Sequence, residues 1–198
     1  MFDLFKIAWK SPREAVHFVN DHSFSKYWFV MFLAGFGNLS YASIDPETGK
    51  LTTIGILMAI IFAIPSVWIG AIVAGFVTHI AAKLFGGTGT FKAMRKGYYV
   101  SLLPYVLATP LAIIYFILIN VTNSEINVYS MIMALLLFVI GIVTIVLEVI
   151  VISEVENISI GRAIGTMIVT IIFGFIIVMI IIVAIIAILA VGGSLLQS

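Results

Sequence analysis

Residues 163–191 read AIGTMIVTIIFGFIIVMIIIVAIIAILAV, a run without one charged side chain. It is almost purely aliphatic and long enough for a helix to cross the hydrocarbon core of a bilayer, which takes about 20 residues. Its Ile and Val richness suits a helix that faces lipid. The rest of the chain agrees with it. Of 198 residues, 63% are hydrophobic and 10% charged, with a mean hydropathy of +1.26. A soluble domain is about half apolar and a quarter charged, so lipid must be the solvent for much of this surface. The expected fold class is therefore an all-α polytopic membrane helix bundle.

Working back towards the N-terminus, a fourth span is expected over residues 129–152 and a third over 97–120. The third carries Pro104 and Pro110, whose freed carbonyls need neighbouring partners. Residues 51–85 are too long for one straight crossing, about 50 Å against about 30 Å of hydrocarbon. Either one long helix bends at Pro65, or 51–63 is a shallow half-segment. A first span over 27–44 is interrupted by Gly35, Gly37, Asn38 and Ser40. Small residues let helices approach closely in lipid, so it should pack inside the bundle. Asp45-Pro46-Glu47-Thr48-Gly49-Lys50 reads as a polar turn, and Gly86-Gly87-Thr88-Gly89-Thr90 as the end of the second span.

Before the first span, residues 1–26 form an interfacial region. In MFDLFKIAWK the charges Asp3, Lys6 and Lys10 share one helical face and Phe2, Phe5, Ile7 and Trp9 cover the rest, which suits a helix lying in the membrane interface. Ser11-Pro12-Arg13-Glu14 is a helix start, with Ser11 as cap, Pro12 at the first position and Glu14 completing a capping box. A short helix should run from there to about Asn20. No signal peptide is expected, because the first apolar run begins only near Tyr27. Ser40-Tyr41-Ala42-Ser43 is a weak cleavage site at best. Residues 192–198 form a short extracytoplasmic tail.

Charge placement tests the span count separately. Lys6, Lys10, Arg13 and Lys26 precede span one, and Lys50 follows it. Lys83, Lys92, Arg95 and Lys96 lie at the end of span two or in the loop before span three, and Arg162 lies between spans four and five. Five spans with a cytoplasmic N-terminus place nine of the ten basic residues inside and one outside, as the positive-inside rule requires. The expected location is a prokaryotic cell membrane, with the C-terminus outside.

Few residues carry candidate chemistry. The absence of cysteine excludes disulfides and thiolate sites. Gly86–Lys92 lacks the order of a phosphate loop. His17, His22 and His79 make no metal motif, no catalytic set is readable, and no cofactor is expected. His79 and Glu148 lie at similar depths, about 6–9 Å inside the cytoplasmic ends of spans two and four. They would form a proton- or cation-handling pair or, the preferred expectation, a structural hydrogen bond between helices, with Glu148 otherwise reaching the headgroups. Glu154, Glu156 and Asn157 precede Ser159, where carboxylates favour the dipole of the next helix and could bind a cation or a basic partner. Arg162 follows. Lys92, Arg95 and Lys96, beside Tyr98 and Tyr99, are candidate contacts for anionic lipid headgroups.

Four segments together resemble the Yip-domain family, membrane proteins named for interacting with Ypt/Rab GTPases. They are Trp9 with Ser11-Pro12-Arg13-Glu14-Ala15, the run from Leu84 to Lys92, Tyr99-Val100-Ser101-Leu102-Leu103-Pro104, and the run from Asn157 to Ile164. The resemblance covers nearly the whole chain. It implies five spans and a cytosolic N-terminus. Eukaryotic members act in vesicle trafficking and carry a longer soluble N-terminal region. This chain looks more like the compact prokaryotic members, so a Rab-related role does not transfer, and the family offers no catalytic residues to carry over. The expected function is non-enzymatic, a scaffold binding membrane lipids and membrane or cytoplasmic proteins at its cytoplasmic face, without nucleic acid. The alternative is a small-solute or ion transporter using the His79/Glu148 region. A transporter should show a polar cavity reaching the midplane. A scaffold should show a packed midplane and an open groove around 86–104 and 154–162.

Overall fold

The computed structural model describes residues 2–42, 52–122 and 127–195, and the described residues contain helices and no strand. Two short helices, α1 (Asp3–Lys10) and α2 (Pro12–Asp21), come first. They are followed by α3 (Trp28–Ala42), α4 (Thr53–Leu84), α5 (Phe91–Ser101), α6 (Ala108–Thr122), α7 (Asn127–Glu156) and α8 (Ile160–Leu195). The expected turn at 45–50, with Lys50, lies outside the described residues, as do positions 196–198 of the tail.

Four segments are long and apolar enough to cross a membrane: Thr53–Leu84, Phe91–Leu118, Met131–Glu156 and Ile160–Ile188. The expected first span is a shorter apolar helix, Trp28–Ser40. The choice left open at Pro65 resolves to one continuous helix, with the Ser66 hydroxyl donating to Ala63 O at 2.9 Å. The third span is not one bent helix. It breaks into α5, a 3-10 turn over Leu103–Val106, and α6, with Pro104 inside that turn. The basic stretch also differs from expectation. Thr90 caps α5 through Ala93 N at 3.2 Å, so Lys92, Arg95 and Lys96 stand on a helix, not in a loop.

Helix α4 buries a seam of small residues at nearly every fourth position: Ala59, Ala63, Val67, Ala71, Gly75, Thr78 and Ala82. In lipid there is no hydrophobic drive between spans, so close backbone contact must supply the attraction. The crossings show it. A Cβ on Gly35 of α3 would collide with Ala63 O, one on Gly37 with Tyr105 O, and one on Gly97 of α5 would lie 2.7 Å from Val151 Cγ1. The Thr109 hydroxyl donates to Leu33 O at 2.6 Å, tying α6 to α3. Helix α3 therefore packs inside the bundle, as its glycines suggested. Up to Ile188, helix α8 buries Ala163 and Thr166 and is half-exposed or exposed from Met167 on, as its composition suggested.

The main core lies at the end of the bundle where the basic residues gather. It joins Leu4 and Ala8 of α1, Val16 and Val19 of α2, Val100 of α5 and Ile152 of α7. Each such Leu or Val gains about 1.5–3 kcal/mol by leaving water, which docks the two amphipathic N-terminal helices on the membrane-spanning part. Pro12 occupies the start of α2 as expected, but the Ser11 side chain makes no capping bond.

Candidate functional site

Two helix ends meet at this basic end. Helix α4 stops with Gly86 at φ +81°, Gly86 N bonded to Lys83 O (3.2 Å) and Gly87 N to Ala82 O (2.9 Å), a Schellman motif. Helix α7 stops with Asn157 at φ +53° and Ile158 N bonded to Ser153 O at 3.2 Å, the same motif with asparagine in the left-handed position. The two motifs interlock: Thr88 N donates to Glu156 O at 2.9 Å, satisfying a carbonyl that the end of α7 leaves without a helical partner.

The Glu156 side chain is fully buried at that junction. Its Oε1 lies 2.6 Å from His79 Nδ1, its Oε2 accepts from Gly89 N at 3.1 Å, and Lys83 Nζ stands 3.9 Å away. Lys83 also donates to Gly87 O (3.1 Å) and Gly89 O (2.9 Å). The loop backbone is drawn over the carboxylate so closely that a Cβ on Gly87 would lie 2.7 Å from Oε2, and one on Gly89 would run into Val155 O. Only Gly86 needs glycine for its φ. Gly87 and Gly89 need it for space.

This placement corrects two expectations. Glu154 and Glu156 belong to the last turn of α7, not to a loop before α8. A carboxylate there faces the negative end of a helix dipole, so Glu156 needs the histidine and the backbone N–H to be held. His79 is paired with Glu156, not with Glu148. Glu148 is half-buried on α7, near the phenols of Tyr98 and Tyr105.

The other candidates are dispersed around this junction. Glu154 bridges to α2, with Arg13 Nε at 3.4 Å and His17 Nε2 at 3.2 Å. Asn157 Nδ2 reaches Thr88 Oγ1 at 3.4 Å. Arg162 is exposed on the first turn of α8, its Nη1 beside Gly86. Lys92 is exposed. Lys96 is spent on structure, donating to Asn20 O (2.9 Å) and His22 O (3.1 Å) at the end of α2. Arg95 is half-buried, its backbone packed on Gly75 of α4. Sequence reasoning missed Lys83, Thr88 and the two crowded glycines. The available signal was the surplus of glycine, since one residue suffices to end a helix.

The groove expected around 86–104 and 154–162 is filled at its centre by these contacts. Chemically, the arrangement is a buried carboxylate with its acceptors occupied from within the chain. Among the described residues, no group of three His, Cys, Asp or Glu could hold a metal ion.

No curated protein and no solved structure matches the chain. A family model described as the Yip1 domain matches residues 11–183, a range that begins at the start of α2 and takes in both interlocked helix ends. With its long apolar helices and this match over most of its length, the chain belongs to the Yip1-domain family of integral membrane proteins.

Proposed function

We propose that this protein is a non-enzymatic membrane scaffold whose basic end holds a fixed surface for lipids and protein partners. We place that end on the cytoplasmic side, because nine of the ten basic residues then lie inside, and the membrane as a prokaryotic cell membrane on the resemblance to the compact family members. The observation that carries the reading is the state of Glu156. Its carboxylate is fully buried and bonded to His79 and Gly89. A carboxylate fixed in this way joins α4, the loop after it and α7. Because this junction fills the groove that a scaffold was expected to leave open, the binding surface of this reading is the outer face of those elements. The crossings of Gly35 on Ala63 and Gly37 on Tyr105 bring backbones together where a transport path would need space.

The rival reading is a small-solute or ion transporter using the His79/Glu148 region. Reconstituted vesicles test the two directly. The scaffold reading expects no ion or solute flux above empty vesicles. It also expects a reproducible set of partners captured from native membranes with the tagged chain, and unchanged capture by Glu148→Ala. Flux that disappears in Glu148→Ala or His79→Ala would overturn it.

A further inference from the structure

Beside the Glu156 junction, and separate from it, the same end of the bundle has a cleft of about 200 Å³. Phe24, Tyr27, Trp68, Arg95, Lys96 and Tyr99 line it. Two of these residues bring donors with nothing to donate to. Tyr27 is 1% exposed, and its buried hydroxyl has no hydrogen-bond partner. Arg95 Nε is buried and has none either, and among the described residues no carboxylate is paired with Arg95. A buried donor without an acceptor costs about 1–3 kcal/mol. Two of them on residues that line one cleft, beside a second cation and with no acidic lining residue, call for an anion, which the two side chains would have to turn to meet.

The surroundings select the kind of anion. Counting 20 residues from Thr53 at 1.5 Å each gives about 30 Å, the hydrocarbon thickness, and ends at Ile72. Ile72 also lines the cleft, and Arg95 packs on Gly75 just beyond it. With the far boundary of the hydrocarbon set at Thr53, the cleft lies where hydrocarbon gives way to headgroups. The rings agree: Phe24 stands 5.4 Å from both Tyr27 and Tyr99 and 6.0 Å from Trp68, and Tyr and Trp concentrate at that boundary. Below the cleft, Ile61, Trp68 and Ile72 form an exposed apolar strip on one face of α4, a bed for acyl chains. An arginine fork suits two oxygens of one phosphate better than a point charge does. The space equals that of about six or seven waters, enough for a phosphate with its first ester groups.

We propose that this cleft binds the phosphodiester of an anionic phospholipid, held by Arg95 and the Tyr27 hydroxyl, with Lys96 supplying further positive charge. Lys96 Nζ gives two of its three hydrogens to Asn20 O and His22 O, so a bound phosphate would share the residue that fastens α2. The proposal rests on the scaffold reading only for placing this end at a membrane face.

The test uses the full chain purified in a neutral detergent, titrated with short-chain phosphatidylglycerol, short-chain phosphatidylcholine or inorganic phosphate while thermal unfolding is followed. Phosphatidylglycerol should stabilise the protein saturably and more strongly than phosphatidylcholine. Arg95→Lys keeps the charge but loses the fork, and should weaken phosphatidylglycerol binding about tenfold or more, the scale of one hydrogen bond to a charged group. Tyr27→Phe should weaken it less. Without lipid it should unfold no earlier than the wild type, since it removes an unpaired buried hydroxyl. Equal binding of inorganic phosphate at matched concentration would overturn the lipid assignment. Phosphatidylglycerol binding unchanged in both variants would overturn the site. A solute flux in vesicles, with phosphatidylglycerol still bound through Arg95, would defeat the scaffold reading and leave this site standing.

Discussion

Replacing Glu156 by alanine tests whether the two helix ends are held by one side chain. The substitution takes the acceptor from His79 Nδ1 (2.6 Å) and from Gly89 N (3.1 Å). Each buried donor left unpaired costs about 1–3 kcal/mol, so the two together cost about 3–5 kcal/mol. Lys83 adds little, being 44% exposed and 3.9 Å away. We therefore expect Glu156→Ala to lose about 3–5 kcal/mol. Glu156→Gln, which keeps an acceptor of similar shape but weaker bonds, should lose about 1–2 kcal/mol. Reversible unfolding in mixed micelles measures both. A double-mutant cycle with His79→Ala should return a coupling energy of about 1–3 kcal/mol, as for residues sharing one network. A loss under about 1 kcal/mol for Glu156→Ala, the range of an exposed ion pair, would mean that this side chain does not hold the two helix ends.

Glycine scanning separates the two uses of that residue. Gly89→Ala, which drives a Cβ into Val155 O, should cost about 1–3 kcal/mol by overpacking. Gly141→Ala, with nothing within 4 Å of its Cβ, should be neutral or stabilising by up to about 1 kcal/mol. At Asn157, with φ +53°, glycine should be tolerated and valine should cost about 1–2 kcal/mol, read by the same unfolding measurement.

Much of this architecture was legible in the sequence because lipid simplifies the reading. A run such as 163–191 can only be a helix in a membrane, and Pro12 and Gly86 mark a helix start and a helix end by backbone geometry alone. The partner of His79 was not legible. Depth counting ended the fourth span at 152, whereas α7 runs on to Glu156, one further turn or about 6 Å. Even from the observed ends, Leu84 and Glu156, counting at 1.5 Å per residue puts His79 about 8 Å deep, Glu148 about 12 Å and Glu156 at the end itself. The pairing therefore follows from the offset of the two helix ends, which only packing sets. The break at Pro104 was half legible, since a proline announces a defect but not whether the helix bends or stops. The cleft at Arg95 was beyond reach, because Tyr27, Trp68 and Arg95 come from segments that only packing brings together.

Amide hydrogen exchange of the full chain in lipid nanodiscs tests the central claim most directly, because two of the bonds that lock the helix ends are donated by loop amides. Thr88 N and Gly89 N, bonded to Glu156 O and Oε2, should exchange as slowly as the amides of the last turns of α4. They should lose that protection in Glu156→Ala. Rapid exchange of both amides in the wild type, at the rate of an open loop, would mean that the two helix ends are not interlocked.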